Sequence, residues 1–335
     1  MKMRGVEVAQ FGGPEVLDFR DDLEAPVVGD REVLVRNHFA GVNFKDLILC
    51  RGEYHGGNPD LPFVPGIEAA GVITEVGTEV TDFRVGQRVV YMTGSMASQH
   101  NRCYAEYNVV ESSACIQEIP DDVSYEVACA LVIQGLTMHY LISDCFTPEP
   151  GDAVLVHGGG GGLGLLMISR LKALGATVLT TASQPAKQEA ARAQGADYVI
   201  DYTACDFSDA VREAFPGGVR CVFDGIGKPT FLKGLACLQK KGTMVLYGNA
   251  GGAHPDPIAP TLLTQLGSLT LKRPALYDYV ENQAEFQRRQ GELFELYRQG
   301  DINLDNLTIA PLEEVAALHE AMLGRRVVGK SLLKI

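Results

Sequence analysis

The sequence predicts an α/β protein in two parts, a doubly wound parallel sheet joined to a β-rich domain, and three observations carry that reading. The run Gly158-Gly159-Gly160-Gly161-Gly162-Leu163-Gly164 lies between the apolar Ala153-Val154-Leu155-Val156 and the helix-spaced Leu165-Leu166-Met167-Ile168. From there to Gly248, strand-like and helix-like segments alternate as they do in a parallel sheet with crossover helices. Before about Tyr125 the pattern changes to short strand-like runs broken by Gly and Pro, the texture of a barrel-like β domain. At 335 residues the chain exceeds one compact core, which agrees with two domains.

In the first part the strand-like runs are Val33 to Arg36, Gly71 to Val76, Gln87 to Tyr91 and Tyr104 to Val110. Asp46 reads as a helix-start residue. The second part opens with the strand at Ala153 to Val156, the glycine run, and a helix ending near Leu174-Gly175. Thr177 to Ala182 is a β-branched second strand, Ala186 to Gln194 a helix stopped by Gly195, and Tyr198 to Tyr202 a third strand. Val219 to Asp224 and Thr243 to Gly248 supply a fourth and fifth strand around a helix-like Thr230 to Gln239. The tail returns to helix over Val280 to Gln299 and closes on a strand-like Lys330 to Ile335.

A strand, then glycines, then a helix places bare backbone N–H groups and a positive helix end against a pyrophosphate. Gly159, Gly161 and Gly164 fit the G-x-G-x-x-G spacing of a dinucleotide loop. A flexible linker would need neither the buried strand before it nor the helix after it. The end of the second strand then selects the nucleotide. An NAD site places an acid there for the ribose 2′-hydroxyl, and that acid would repel a 2′-phosphate. Here the tip reads Thr181-Ala182-Ser183-Gln184-Pro185-Ala186-Lys187, with no acid. Ser183 can donate to phosphate oxygens, Lys187 brings charge, and Tyr202 at the next strand tip closes the pocket, so the expected cofactor is NADPH.

Composition excludes other classes. With 29 Lys and Arg against 42 Asp and Glu, the net charge of −13 disfavours a phosphate-backbone partner, so no nucleic acid is expected. No uninterrupted apolar run is long enough for a membrane span, and the N-terminal residues lack the apolar core of a secretion signal, which leads us to expect a cytoplasmic protein. Eight cysteines lie scattered without a C-x-x-C pair, and the seven histidines form no H-x-x-x-H pair. Spacing therefore points to no metal site and to cysteines that act as small buried hydrophobes.

Further segments make the reading specific. Gly12-Gly13-Pro14-Glu15-Val16-Leu17, Gly41-Val42-Asn43-Phe44-Lys45-Asp46, Pro65-Gly66-Ile67-Glu68-Ala69-Ala70-Gly71-Val72, Gly135-Leu136-Thr137 and the glycine loop occur in this order along essentially the whole chain. In this the sequence resembles the medium-chain dehydrogenase/reductase superfamily, and within it the zinc-free quinone oxidoreductase branch that includes zeta-crystallin. The resemblance implies a GroES-like catalytic domain from residues 1–126 and 273–335 with a Rossmann NADP(H)-binding domain, 127–272, inserted between, and a homodimer. Where zinc-dependent relatives carry metal ligands this chain has Asn43, Ile67, and Ile133 with Gln134, and amide and alkyl groups do not replace thiolate and imidazole on Zn²⁺.

Residue by residue, the resemblance puts Tyr54 beside the nicotinamide and substrate, Asn43 in the same cleft, and Thr137 facing the carboxamide. Gly161, Gly162, Leu163 and Gly164 would hold the pyrophosphate, Ser183, Lys187 and Tyr202 the 2′-phosphate, and Tyr247, Gly248, Asn249, Arg273 and Arg325 would make later cofactor contacts. Cys50 stands where the family usually has an arginine, with Arg51 adjacent. The loops Met92 to Cys103 and Asp256 to Gln265 are expected to shape the acceptor pocket. The implied activity is NADPH-dependent hydride transfer to a quinone or related conjugated carbonyl. Reduction of 2-alkenals or enoyl thioesters is the near alternative, and an NADPH-binding, crystallin-like structural or interaction protein the distant one.

Overall fold

The computed structural model of the protein describes residues 1–54, 56–93, 102–252 and 254–335. The chain begins with β1 (Lys2–Glu7), β2 (Asp18–Glu24), β3 (Glu32–Val42), α1 (Phe44–Cys50), β4 (Glu68–Val76), β5 (Arg88–Met92), β6 (Tyr107–Glu111) and β7 (Ile116–Glu118). Helices α2 (Tyr125–Ala130) and α3 (Ile133–Tyr140) follow. Next come β8 (Ala153–His157), α4 (Gly162–Ala173), β9 (Thr177–Thr181), α5 (Pro185–Ala193), β10 (Tyr198–Ile200) and α6 (Phe207–Ala214). After them are β11 (Val219–Asp224), α7 (Phe231–Cys237), β12 (Leu238–Leu246), α8 (Thr261–Gln265) and β13 (Thr270–Lys272). The tail forms α9 (Gln283–Arg298), β14 (Leu307–Pro311), α10 (Val315–Leu323) and β15 (Lys330–Lys334).

Two compact units result, one of residues 1–136, 280–295 and 307–335, the other of residues 137–279 and 296–306. In the first, a mainly antiparallel sheet runs β14-β15-β3-β4-β5-β7, with β6 pairing β3. The GroES-like character rests on the long strand β3, whose alternate residues Val33 and Val35 pack into a core with Ile73, Val89, Tyr91 and Tyr104. The C-terminal strand β15 pairs antiparallel with β3, placing Leu332 opposite Gly41 and Ser331 opposite Val42. The tail is thus an integral strand of the first sheet.

That pairing brings Lys330 into the interior. Its side chain is 1% exposed and its Nζ donates to Glu68 Oε1 at 2.5 Å, while Glu68 itself is 0% exposed. Nζ also donates to Asn43 Oδ1 at 2.9 Å and to the Val42 carbonyl at 3.3 Å. Glu68 Oε1 further accepts from Asn43 Nδ2 at 2.7 Å, and Glu68 Oε2 accepts the backbone N–H of Ile133, the first residue of α3, at 2.6 Å. Buried charges persist only when paired and hydrogen-bonded, and here both are.

The second unit is a parallel sheet in the order β10-β9-β8-β11-β12-β13. Strand order reverses between β8 and β11, the switch point of a Rossmann fold. The sequence predicts five strands and the structure has a sixth, β13, at the edge; its three residues carry no periodic pattern and only Leu271 joins the core. Helix α6 was also not read from the sequence. Asp206 caps it, its Oδ1 accepting from the Ser208 N–H at 2.9 Å, and Phe207 and Val211 are its buried side chains.

Breaking the buried pair leaves one charge uncompensated. Glu68→Gln or Lys330→Met alone is expected to cost about 3–5 kcal/mol in chemical denaturation, and the double variant much less than the sum. Additive losses would show that the two groups do not act as a pair.

Candidate functional site

Several of the predicted cofactor positions follow strands of the parallel sheet. Gly158 follows β8, Ser183 stands two residues past β9, Tyr202 two past β10, Tyr247 directly after β12 and Arg273 directly after β13. All are carboxyl ends of parallel strands, where open α/β sheets bind ligands.

The loop after β8 is shaped by close approach. Gly158 takes φ +77°, its N–H donates to Thr181 Oγ1 at 3.2 Å, and the Gly159 N–H donates to the Thr181 carbonyl at 3.1 Å, locking the loop to the end of β9. A Cβ at Gly160 would overlap the stem of Lys187, and one at Gly164 would overlap the Gly158 carbonyl. Gly161 is the N-cap of α4 and offers no side chain to the first turn. The N–H groups of Gly162, Leu163 and Gly164 therefore have no intrahelical acceptor, at the positive end of a 12-residue helix. This cradle fits a pyrophosphate by its backbone donors and its missing Cβ atoms.

At the tip of β9, Tyr202 Oη donates to Ser183 Oγ at 3.1 Å, so these two predicted contacts meet. Lys187, on α5, packs its stem on Gly160. The nearby acid Asp201 is engaged locally: its Oδ1 accepts from the Thr203 N–H and hydroxyl at 2.9 and 2.6 Å, and its Oδ2 from Gln188 at 3.1 Å. Those hydrogen bonds, from Thr203 above all, lower its pKa. The region keeps a cation and hydroxyl donors, with Asp201 already engaged.

Beyond β12, Asn249 Nδ2 lies 2.9 Å from His254 Nδ1, while its Oδ1 is buried without a partner among the described residues. A buried amide oxygen left this way suits a donor from a bound molecule. Thr137 lies on α3 and Arg273 is exposed after β13.

In the first unit, α1 carries the acceptor-side candidates. Asn43 is its N-cap and 5% exposed, its amide held by Lys330 and Glu68. Tyr54 follows α1 in a turn fastened by Asn58, which accepts from the Tyr54 N–H at 3.1 Å and donates to the Gly52 carbonyl at 2.7 Å. Lys45 Nζ stands 5.1 Å from the Tyr54 ring centroid. Partial burial raises the Tyr54 phenol pKa and pushes the Lys45 ammonium down to about 8. Cys50 is buried and Arg51 faces Glu53 at 3.9 Å. Arg325 is exposed after α10 with φ +58°. His55 and residues 94–101 of the Met92 to Cys103 loop lie outside the described residues.

The sequence did not reveal a second buried polar chain. Asp46 Oδ2 accepts the Asn43 N–H at 2.8 Å, the reach-back half of a capping box, and the Tyr104 hydroxyl at 3.2 Å. His319 Nε2 lies 3.4 Å from that hydroxyl. Complete burial, assisted by Glu68, raises the Asp46 pKa to about 7, and burial depresses His319 to about 4. Where a zinc branch would hold metal, Ile67 is buried and Asn43 is tied to charged partners. Among the described residues no three His, Cys, Asp or Glu side chains converge on a metal position.

Comparison with known proteins places the two units. The alcohol dehydrogenase GroES-like domain family matches residues 29–121 and the zinc-binding dehydrogenase family residues 162–290. Quinone oxidoreductase of Pseudomonas aeruginosa is 36% identical over 98% of each chain. A 2-haloacrylate reductase of a Burkholderia species is 36% identical over 96% of each. Escherichia coli quinone oxidoreductase, solved in complex with NADPH, superposes with a TM-score of 0.90 at 31% identity, covering 99% of this chain and 100% of that one.

The raised Asp46 pKa sets a pH dependence of stability. In the fold the carboxyl holds its proton to about pH 7, whereas the unfolded chain releases it near the ordinary 3.8. The folded state binds more protons in that window, so this contribution to stability falls as pH rises from about 4 to 7 and stays low above it. Asp46→Asn keeps an acceptor for the Asn43 N–H and removes the ionisation. Its stability relative to the parent should improve by up to about 4 kcal/mol between pH 4 and 8. A pH-independent difference in urea unfolding would show that Asp46 ionises normally.

Proposed function

The chain belongs to the quinone oxidoreductase branch of the medium-chain dehydrogenase/reductase superfamily, and from that membership we propose an NADPH-dependent, zinc-independent oxidoreductase acting on a quinone or related conjugated carbonyl. The observation that carries the reading is the set of groups at the carboxyl ends of β8, β9 and β10. There the stem of Lys187 packs on the glycine cradle, Ser183 and Tyr202 pair through their hydroxyls, and Asp201 is engaged by Thr203 and Gln188.

Gly161, Gly162, Leu163 and Gly164 would hold the pyrophosphate through backbone N–H groups. Ser183, Lys187 and Tyr202 would hold the 2′-phosphate, where charge-assisted hydrogen bonds are the strong ones. Thr137, Tyr247, Gly248, Asn249, Arg273 and Arg325 would complete the contacts, Asn249 Oδ1 accepting from the carboxamide or a ribose hydroxyl. When bound, NADPH supplies a hydride from its nicotinamide. Tyr54 would face the acceptor. Asn43, held at both ends of its amide, would serve that site by fixing the start of α1.

With Asn43 and Ile67 where zinc-dependent relatives carry ligands, we assign polarisation of the acceptor to hydrogen-bond donors and cations of the chain. Similarity to a 2-haloacrylate reductase favours a second acceptor class, activated alkenes, for which hydride addition to the β-carbon is the same physical step. We also infer a cytoplasmic setting and a homodimer. Eight free cysteines, seven of them buried, support a reducing compartment. The edge strand β13 offers backbone groups to a second copy.

Consumption of NADPH with phenanthrenequinone, set beside 2-alkenals and enoyl thioesters, tests the function directly; NADPH binding with no acceptor reduced would remove it. Lys187→Ala should raise the KM for NADPH by roughly 10- to 100-fold, as loss of a charged hydrogen bond does, and leave NADH unchanged. An unaltered NADPH/NADH preference would take Lys187 out of the phosphate site.

A further inference from the structure

Lys45 is a chemically competent group that the reading above leaves without a role. It lies two residues beyond Asn43 on α1, and its ammonium stands 5.1 Å from the ring centroid of Tyr54, the residue proposed to face the acceptor. The helix is anchored at its start, where Asn43 is fixed by Lys330 and Glu68. Asn58 fastens the turn that carries Tyr54. Both ends of the arrangement are thus rigidly supported, as a preorganised electrostatic site requires.

We propose that Lys45 meets the oxyanion formed on the acceptor by hydride transfer and delivers the proton that completes the reduction, with the Tyr54 ring holding the ammonium in place. The proposal rests on the reading of Tyr54 as an acceptor-side residue. The balance is simple: the acceptor gains a hydride, one oxygen of the quinone becomes an oxyanion, and the N–H bond of Lys45 breaks as the O–H bond forms. Solvent then returns a proton to the neutral amine. An ammonium poised near the working pH is suited to this, because proton transfer is most effective when donor pKa and pH are close. Burial brings Lys45 down to about 8. The field of Asp46 on its own helix opposes that fall, and the Tyr54 ring from the following turn lies beside the ammonium; Arg51 and Glu53 in the same turn face each other.

The test uses the whole protein, with NADPH binding followed by fluorescence as a check on folding. At a pH of about 5.5, where free 4-nitrophenol is almost wholly un-ionised, this mimic of the acceptor is titrated into the cofactor-free protein, and a coloured phenolate band then reports a cation at the site. The parent should bind it as phenolate, Lys45→Arg should too because the guanidinium stays charged, and Lys45→Met should lose the band. In turnover with phenanthrenequinone, Lys45→Met should lower kcat roughly 100-fold with NADPH affinity unchanged. The parent kcat should fall as pH rises through about 8, and that limb should vanish in both variants. A phenolate band and pH limb that persist in Lys45→Met, with kcat within about 3-fold of the parent, overturn the proposal. Tyr54→Ala separates the layers. If it weakens kcat/KM for the quinone while Lys45→Met does not, only the Lys45 role fails; if neither matters, the placement of Tyr54 fails with it.

Discussion

The Lys330–Glu68 ion pair is the constraint on which the first unit depends. An ammonium and a carboxylate with almost no exposure must find every hydrogen bond inside the protein. Here they do so from segments that are remote in sequence: Lys330 and Glu68 are 262 residues apart, and the same two groups hold the amide of Asn43 and the first N–H of α3. The last strand, the start of α1, the start of β4 and the start of α3 are fixed to one point. The turn bearing Tyr54 and the face bearing Lys45 follow from the position of α1. The stability of this unit and the geometry of its proposed acceptor side have a common source.

The second unit solves its problem with backbone. Its sheet needs no charge to present donors, because parallel strands end together and the first helix points a positive end at the same edge. Close packing replaces side-chain chemistry: the stem of Lys187 fills the space that a Cβ at Gly160 would take, which couples the phosphate loop to the residue proposed to read the 2′-phosphate. The Thr181 hydroxyl and carbonyl hold the Gly158 and Gly159 N–H groups, tying the same loop to the strand that leads to Ser183.

Local patterns made this second unit legible. The β8–α4–β9 order, the glycine spacing and the absence of an acid between Thr181 and Lys187 are all short-range features, and periodicity reads them well. β13 escaped because a three-residue strand at an edge has no room for a pattern, and α6 because its apolar residues, Phe207 and Val211, make only one turn. The buried polar groups of the first unit escaped for a different reason. Lys330 reads as the polar start of a strand and Asp46 as a helix cap, and both descriptions are correct as far as they go. Only the pairing of β15 with β3, and the depth of α1 beneath Tyr104, make one a buried cation and the other a carboxyl of raised pKa.

Depth then decides the charge on the acceptor side. The same burial that raises Asp46 to about 7 lowers Lys45 to about 8, since each prefers its neutral form away from water. Above about pH 7 Asp46 is ionised, and its field then opposes the loss of the proton from its helix neighbour. In the proposed reaction, with Asn43 and Ile67 where zinc-dependent relatives carry ligands, a positive charge for the acceptor would come from a side chain that can be desolvated without collapsing the fold. A lysine beside an aromatic ring meets that condition, because the ring face offsets part of the lost hydration. A lysine placed directly against a carboxylate would keep its charge more firmly and be a poorer proton donor for the same reason.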